Sequence, residues 1–192
     1  MFQEYIAKKN QTLFNLASVF FSKELGLTNE EMEIIIVQEV NRLETGTSGT
    51  CTGSYNGVDG SLTKVEIRVL GYASVIGMID VLAHELVHAR QHVRGEFHFE
   101  KVKHPIFFGL FEIDVNERFH KGQRLSVTPY YERLCEIEAH TLSYDLVTKF
   151  CAGLYIKDKT ESKKIEDDGG ISNDDIGTKA TNAEEGSILS LS

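Results

Sequence analysis

The chain has 192 residues, 41% of them hydrophobic, and a formal charge of −9. That length buries one ordinary core and leaves little for a second domain, and the acidic balance excludes general nucleic-acid binding, which needs a basic surface. No run approaches the roughly 18 uninterrupted apolar residues of a membrane span, and no apolar h-region of a signal peptide follows Met1.

Taken in chain order, Gln3 to about Leu25 reads as a helix, with Leu13, Leu16, Ala17, Phe20 and Phe21 at helical spacing and Gly26 as its cap. Glu33 to Val40 is short and rich in β-branched residues, hence a buried strand. Thr45 to Ser61 is glycine-rich, with Asn56-Gly57 and Asp59-Gly60 as turn signals, and reads as a hairpin or surface loop. Lys64 to Val69 alternates polar and apolar, so it is a strand with one wet face. A long apolar run from Gly71 follows, with Val75, Ile79, Leu82 and Leu86 at helical spacing and Gly95 as its stop. Gly95 to Thr128 has no clean periodicity but six phenylalanines and three histidines, which suits an insertion covering or lining a pocket. Tyr130 to about Tyr155 reads as a second long helix. From Lys157 the sequence turns polar and acidic and loses its aromatics, so residues 1–156 are the expected domain and 157–192 a disordered tail. Cys51, Cys135 and Cys151 lack C-x-x-C spacing and read as free thiols in a reducing, cytoplasmic setting.

The chemistry is concentrated in the first of the two long helices, where His84-Glu85-Leu86-Val87-His88 forms an H-E-x-x-H pattern. Residues four apart face the same side, so both imidazoles can reach one zinc ion. Glu85 is turned by about 100° from His84 and flanks such an ion, placed to take a proton from its water. A catalytic zinc needs a third protein ligand. The longer metzincin pattern fails, because Gln91 and Arg94 stand where its glycine and third histidine would be. The second helix offers Glu136 and Glu138, about 200° apart on a helix. Glu136 shares a face with Ala139, Ser143, Val147 and Phe150, whereas Glu138 aligns with Asp145 and Lys149. Glu136 is therefore the expected ligand and Glu138 the alternative.

With His84-Glu85-x-x-His88 and the downstream Glu136-x-x-Ala139, the chain resembles the gluzincin class of zinc metallopeptidases. It is similar to small intracellular members of the ImmA/IrrE kind and to the catalytic core of the membrane-bound CAAX-processing proteases, over roughly residues 60 to 150. Those families commonly carry Asp or Asn after the Ala; this chain has His140. The resemblance implies a compact α+β zincin fold in which Lys64–Val69 is the edge strand along which a peptide lies.

The function expected is peptide-bond hydrolysis by zinc-activated water, with zinc on His84, His88 and Glu136, Glu85 as general base and a protein or peptide substrate. Oxyanion donors are sought among His140, Tyr130, Tyr131 and His120, and Asp80, one turn before His84, is placed to orient that imidazole. The rival readings are a structural zinc or peptide-binding module without activity, and a metal hydrolase acting on a non-peptide bond. Glu85 separates enzyme from module, since a structural site has no use for a base there.

Overall fold

The computed structural model describes residues 2–44, 46–57, 59–71, 74–106 and 111–168, with side chains described from residue 10 to 157. The chain divides into two units, residues 1–153 and 154–192. The first unit is α+β, with two three-stranded sheets.

Helix α1 (Phe2–Glu24) ends where expected. Gly26 sits at φ 66° and the Leu27 amide reaches back to the Ser22 carbonyl at 3.0 Å, a Schellman-type closure that a Cβ would strain. A short helix α2 (Asn29–Glu33) is opened by a capping box between Thr28 and Glu31. Strands β1 (Ile35–Val40), β2 (Gly49–Tyr55) and β3 (Leu62–Leu70) form one sheet in the order β1-β3-β2, β1 parallel and β2 antiparallel to β3.

Two strand expectations change here. The alternating strand β3 lies in the centre of the sheet and is not its edge. Val65, Ile67 and Val69 are fully buried on one face, while Glu66 pairs with Lys64 and Arg68 on the other. Alternation reports that one face of a strand is wet; it says nothing of the strand's rank in the sheet. The edges are β1 and β2. The β-branched β1 was expected to be buried, but Ile35 is its one buried residue and Ile36 is exposed. β2 comes from the glycine-rich stretch, and after it the Asn56 amide bonds the Ser61 carbonyl at 2.8 Å and the Gly60 amide bonds the Asn56 carbonyl at 2.9 Å.

Helix α3 (Val75–Val93) packs its Ile79, Leu82, Ala83 and Leu86 stripe into a core shared with Phe14, Ala17 and Phe21 of α1, the inner face of β3, and Ala139, Leu146 and Phe150. Its start is capped by Ser74, whose hydroxyl accepts the Gly77 amide at 3.2 Å, and Gly95 at φ 66° terminates it. The segment without periodicity is a β-ribbon: β4 (Phe97–Ile106) pairs antiparallel with β5 (Phe111–His120), and a short β6 (Gln123–Arg124) adds to β5. Its far half is mostly exposed, so the period-2 signal that one buried face would impose is absent. A 3₁₀ turn (Tyr130–Glu132) leads into helix α4 (Leu134–Asp168).

The helix expected to end near Tyr155 runs through Lys157 to Asp168. Residues 157–168 are polar yet rich in Lys and Glu, which are good helix formers, so a lack of apolar surface does not by itself end a helix. The tail beyond 168 lies outside the described residues. Among the described residues, no helix is long and apolar enough to cross a membrane. Cys51, Cys135 and Cys151 are free thiols.

Candidate metal centre

The apolar stripe of α3 fixes the rotation of that helix against the sheet and leaves His84 and His88 on the side facing the start of α4. On α4, Ala139, Ser143, Leu146 and Phe150 are buried, and Glu136 falls on the same face. The structure brings these three residues together. His84 Nε2 and His88 Nε2 are 3.1 Å apart, and Glu136 Oε2 lies 3.4 Å from the first and 3.3 Å from the second. Donors on three corners of a tetrahedron with bonds of about 2.0–2.1 Å stand about 3.3 Å from one another. Two imidazole nitrogens and a carboxylate oxygen at these separations fit a zinc ion with one position left for water.

The electrostatics suit a cation. Burial raises the Glu136 pKa, but hydrogen bonds with His84, His88 and Tyr130 outweigh it, and its carboxyl is held well below the usual range. Burial likewise opposes the charge on His88, yet the hydrogen bond and charge of Glu136 leave its pKa raised.

Glu85 belongs to none of these contacts. It is buried at 8% exposure, and that burial raises its pKa against the opposing pull of His88 and His84. A carboxylate so desolvated is a stronger proton acceptor than one in water. Its neighbour on the sheet is Gly49 of β2, where a Cβ would fall 2.8 Å from Glu85 Oε1 and 2.4 Å from Val81 Cγ1. The glycines of β2 are thus the condition for an edge strand to lie directly against the motif helix. At Gly53 a Cβ would meet His92 Nδ1 at 2.4 Å.

A pocket of about 450 Å³ opens beside His84 and Glu85, walled by Thr47 to Gly49, Asp80, and Tyr130 and His140. Tyr130 has its pKa raised by burial and by the Glu136 carboxylate, so its hydroxyl stays a donor. The His140 ring is 4.6 Å from the His84 ring. The other expected residues are elsewhere. Tyr131 is 77% exposed and does not line the pocket. His120, the last residue of β5, is fully buried and bonded to Glu96 at 3.2 Å. Asp80 is exposed at the rim and, among the described residues, makes no hydrogen bond with His84.

Glu138 points away from the centre and accepts from Lys121 at 2.9 Å, from Gln91 at 3.1 Å and from Arg90. It is the hub of an ion-pair network, which the polar face of α4 hinted at. Lys121 also pairs with Glu96 at 3.1 Å, so its ammonium already serves the Glu96–His120–Glu138 cluster as a cation.

Gln91 is the residue that motif reasoning passed over. It is fully buried, and its Oε1 lies 2.8 Å from His88 Nδ1. The only signal in the sequence was its position, seven residues after His84 on the same helix face. His92 stays out of the centre, bonded to the Tyr55 hydroxyl at 2.6 Å and to Arg118 at 3.0 Å.

Compared with protein-family models, with curated proteins and with solved structures, the chain matches none. The geometry and chemistry of the site therefore carry the functional argument alone.

Proposed function

We propose that the protein is a zinc-dependent metallopeptidase of gluzincin type. The observation that carries this reading is the convergence of His84 Nε2, His88 Nε2 and Glu136 Oε2 within 3.1–3.4 Å, next to a buried carboxylate that is not part of the triad. Zinc held by these three residues would supply a Lewis acid and a water acidified towards a pKa of about 7.

Glu85 accepts a proton at its carboxylate and returns it to the leaving amine. Its raised pKa lets it hold that proton between the two transfers. Tyr130 and His140, on the pocket wall, are the hydrogen-bond donors available to a developing oxyanion. The role expected of β3 passes to β2. As an edge strand bordering the pocket, β2 offers its backbone to an extended chain, with Gly49 letting the strand itself lie against Glu85.

The test measures zinc content and turnover on one preparation. The wild-type protein is expected to hold one zinc per chain and to cut members of a broad peptide library. Glu85→Gln should keep the zinc and lose roughly 10²–10⁴ in rate, the usual contribution of a positioned acid–base group. A wild-type protein that holds zinc and cuts nothing favours the binding module, and a Glu85→Gln variant as fast as wild type removes Glu85 as the base.

A further inference from the structure

On the His88–Glu136 side of the triad is a second, smaller cavity of about 90 Å³. Its wall includes His88, Glu136, His92, Cys51 and two arginines, Arg118 of β5 and Arg133 before α4. An occupant of this cavity lies against two of the three proposed zinc ligands.

Arg68, Arg90 and Arg124 each take a carboxylate within ion-pair distance. Like Arg42 and Arg94, which also have no carboxylate partner among the described residues, Arg118 and Arg133 have none, but of these four they alone face a cavity beside the triad. The chain has 29 acidic and 20 basic residues, so the cause is not a shortage of carboxylates. Glu136, the one acid on the cavity wall, is engaged with His84 and His88. Both side chains are half-buried, and a guanidinium partly withdrawn from water without a counter-charge is costly. The Arg118 Nε, like those of the ion-paired Arg90 and Arg124, is buried with no hydrogen-bond partner.

Both side chains are held in place by neutral groups. Arg118 stacks on the Phe97 ring with its Cζ 4.0 Å from the centroid and donates to His92 Nε2 at 3.0 Å. Arg133 donates from Nε to the Thr128 carbonyl at 3.1 Å, with its Cζ 5.8 Å from the Tyr130 ring centroid. This leaves N–H groups for an incoming anion. The charge of Arg118 is felt locally: together with burial it lowers the His92 pKa to about 3.

We propose that this cavity is a carboxylate-binding subsite, in which Arg118 and Arg133 hold an acidic side chain or the terminal carboxylate of a peptide substrate. Planar guanidinium forks match carboxylates in geometry as well as charge. The volume suits a carboxyl group with its adjoining methylenes and excludes a large aromatic side chain. The assignment rests on the peptidase reading for its substrate, but the cavity's affinity for carboxylate can be measured without any cleavage.

Four peptides built on one cleaved sequence decide it with the full-length, zinc-loaded protein. They carry Glu or Gln after the scissile bond, each with a free or an amidated C terminus. The wild-type protein is expected to prefer a carboxylate at least tenfold in kcat/KM, and Arg118→Gln or Arg133→Gln to bring that ratio near one. A preference that follows the Glu/Gln exchange identifies a side-chain carboxylate; one that follows the terminus identifies the terminal group. Peptides cut without a carboxylate preference, or a preference that survives both substitutions, overturn the subsite and leave the peptidase standing. If no peptide is cut, the peptidase reading falls and a titration with glutarate against glutaramide decides the cavity. Binding of glutarate alone, seen at the Arg118 Nε–H resonance and lost in Arg133→Gln, supports the subsite; its absence overturns it.

Discussion

The Nδ1–H of His88 donates to Gln91 Oε1 at 2.8 Å, and the direction of that bond follows from the far end of the glutamine. The Gln91 amide nitrogen donates to the Cys135 carbonyl at 3.2 Å and to Glu138 at 3.1 Å, both acceptors only. The amide orientation is thereby fixed, its oxygen must accept, and a His88 proton is on Nδ1. With Nδ1 held as the donor, Nε2 on the side of His84 and Glu136 is the nitrogen that would turn its lone pair to a metal once its own bond to Glu136 is given up. Replacing Gln91 by Met should lower zinc affinity by about 10–100-fold, the usual effect of losing an outer partner. It should also cost about 1–3 kcal/mol of stability, because the Cys135 carbonyl loses its donor. Chelator competition and denaturant unfolding measure the two effects separately.

The two glutamates of α4 should separate cleanly. Glu136→Ala removes a proposed ligand and is expected to lower zinc affinity by about 10²-fold or more, beyond what outer partners contribute. Glu138→Ala should leave one zinc per chain and instead cost about 1–3 kcal/mol through the orphaned Arg90, Gln91 and Lys121 donors. Metal analysis of the two variants side by side is sufficient. Zinc lost from Glu138→Ala and kept by Glu136→Ala would reverse the assignment.

Gly49→Ala tests the approach of β2 to the motif helix. The new methyl meets Val81 Cγ1 at 2.4 Å and Glu85 Oε1 at 2.8 Å, so the strand or the carboxylate must move. A loss of about 1–3 kcal/mol is expected, as for other overpacked sites. Adding Val81→Ala relieves the contact with Val81 but not the one with Glu85. The double variant should therefore regain stability without regaining the cleavage rate. Recovery of both would show that Glu85 tolerates the displacement.

His92 makes stability depend on pH. Burial and the neighbouring Arg118 charge lower its folded pKa to about 3, against about 6.5 for an unperturbed imidazole. The unfolded chain therefore binds the proton first, and the contribution of His92 is fully present above pH 6.5. It is lost as pH falls from there towards 3, at up to about 1.4 kcal/mol per pH unit. His92→Gln cannot titrate, so its unfolding free energy should fall less steeply than that of wild type between pH 6.5 and 5. Parallel curves would mean that His92 takes up its proton at the same pH in the folded and unfolded states, so that burial and Arg118 do not shift it.

The sequence by itself determined the local chemistry. Residues four apart on a helix must share a face, so His84 and His88 were legible as a pair, and the angular count on α4 separated Glu136 from Glu138 for the same reason. Glycine stops at Gly26 and Gly95 were equally local, each set by the one residue that takes a positive φ without strain. Only the tertiary structure decided what depends on long-range neighbours. The alternation of β3 specified a wet face but not a central position. Of the two readings of the glycine-rich stretch, hairpin or surface loop, the structure takes the hairpin, whose first strand is an edge because its glycines let it lie against α3. Gln91, His92 and Arg118 are 26 or more residues from a partner that defines their role, at Cys135, Tyr55 and His92 respectively. No periodicity encodes such pairings; they exist once the hydrophobic stripes of α1, α3 and α4 have chosen their common core.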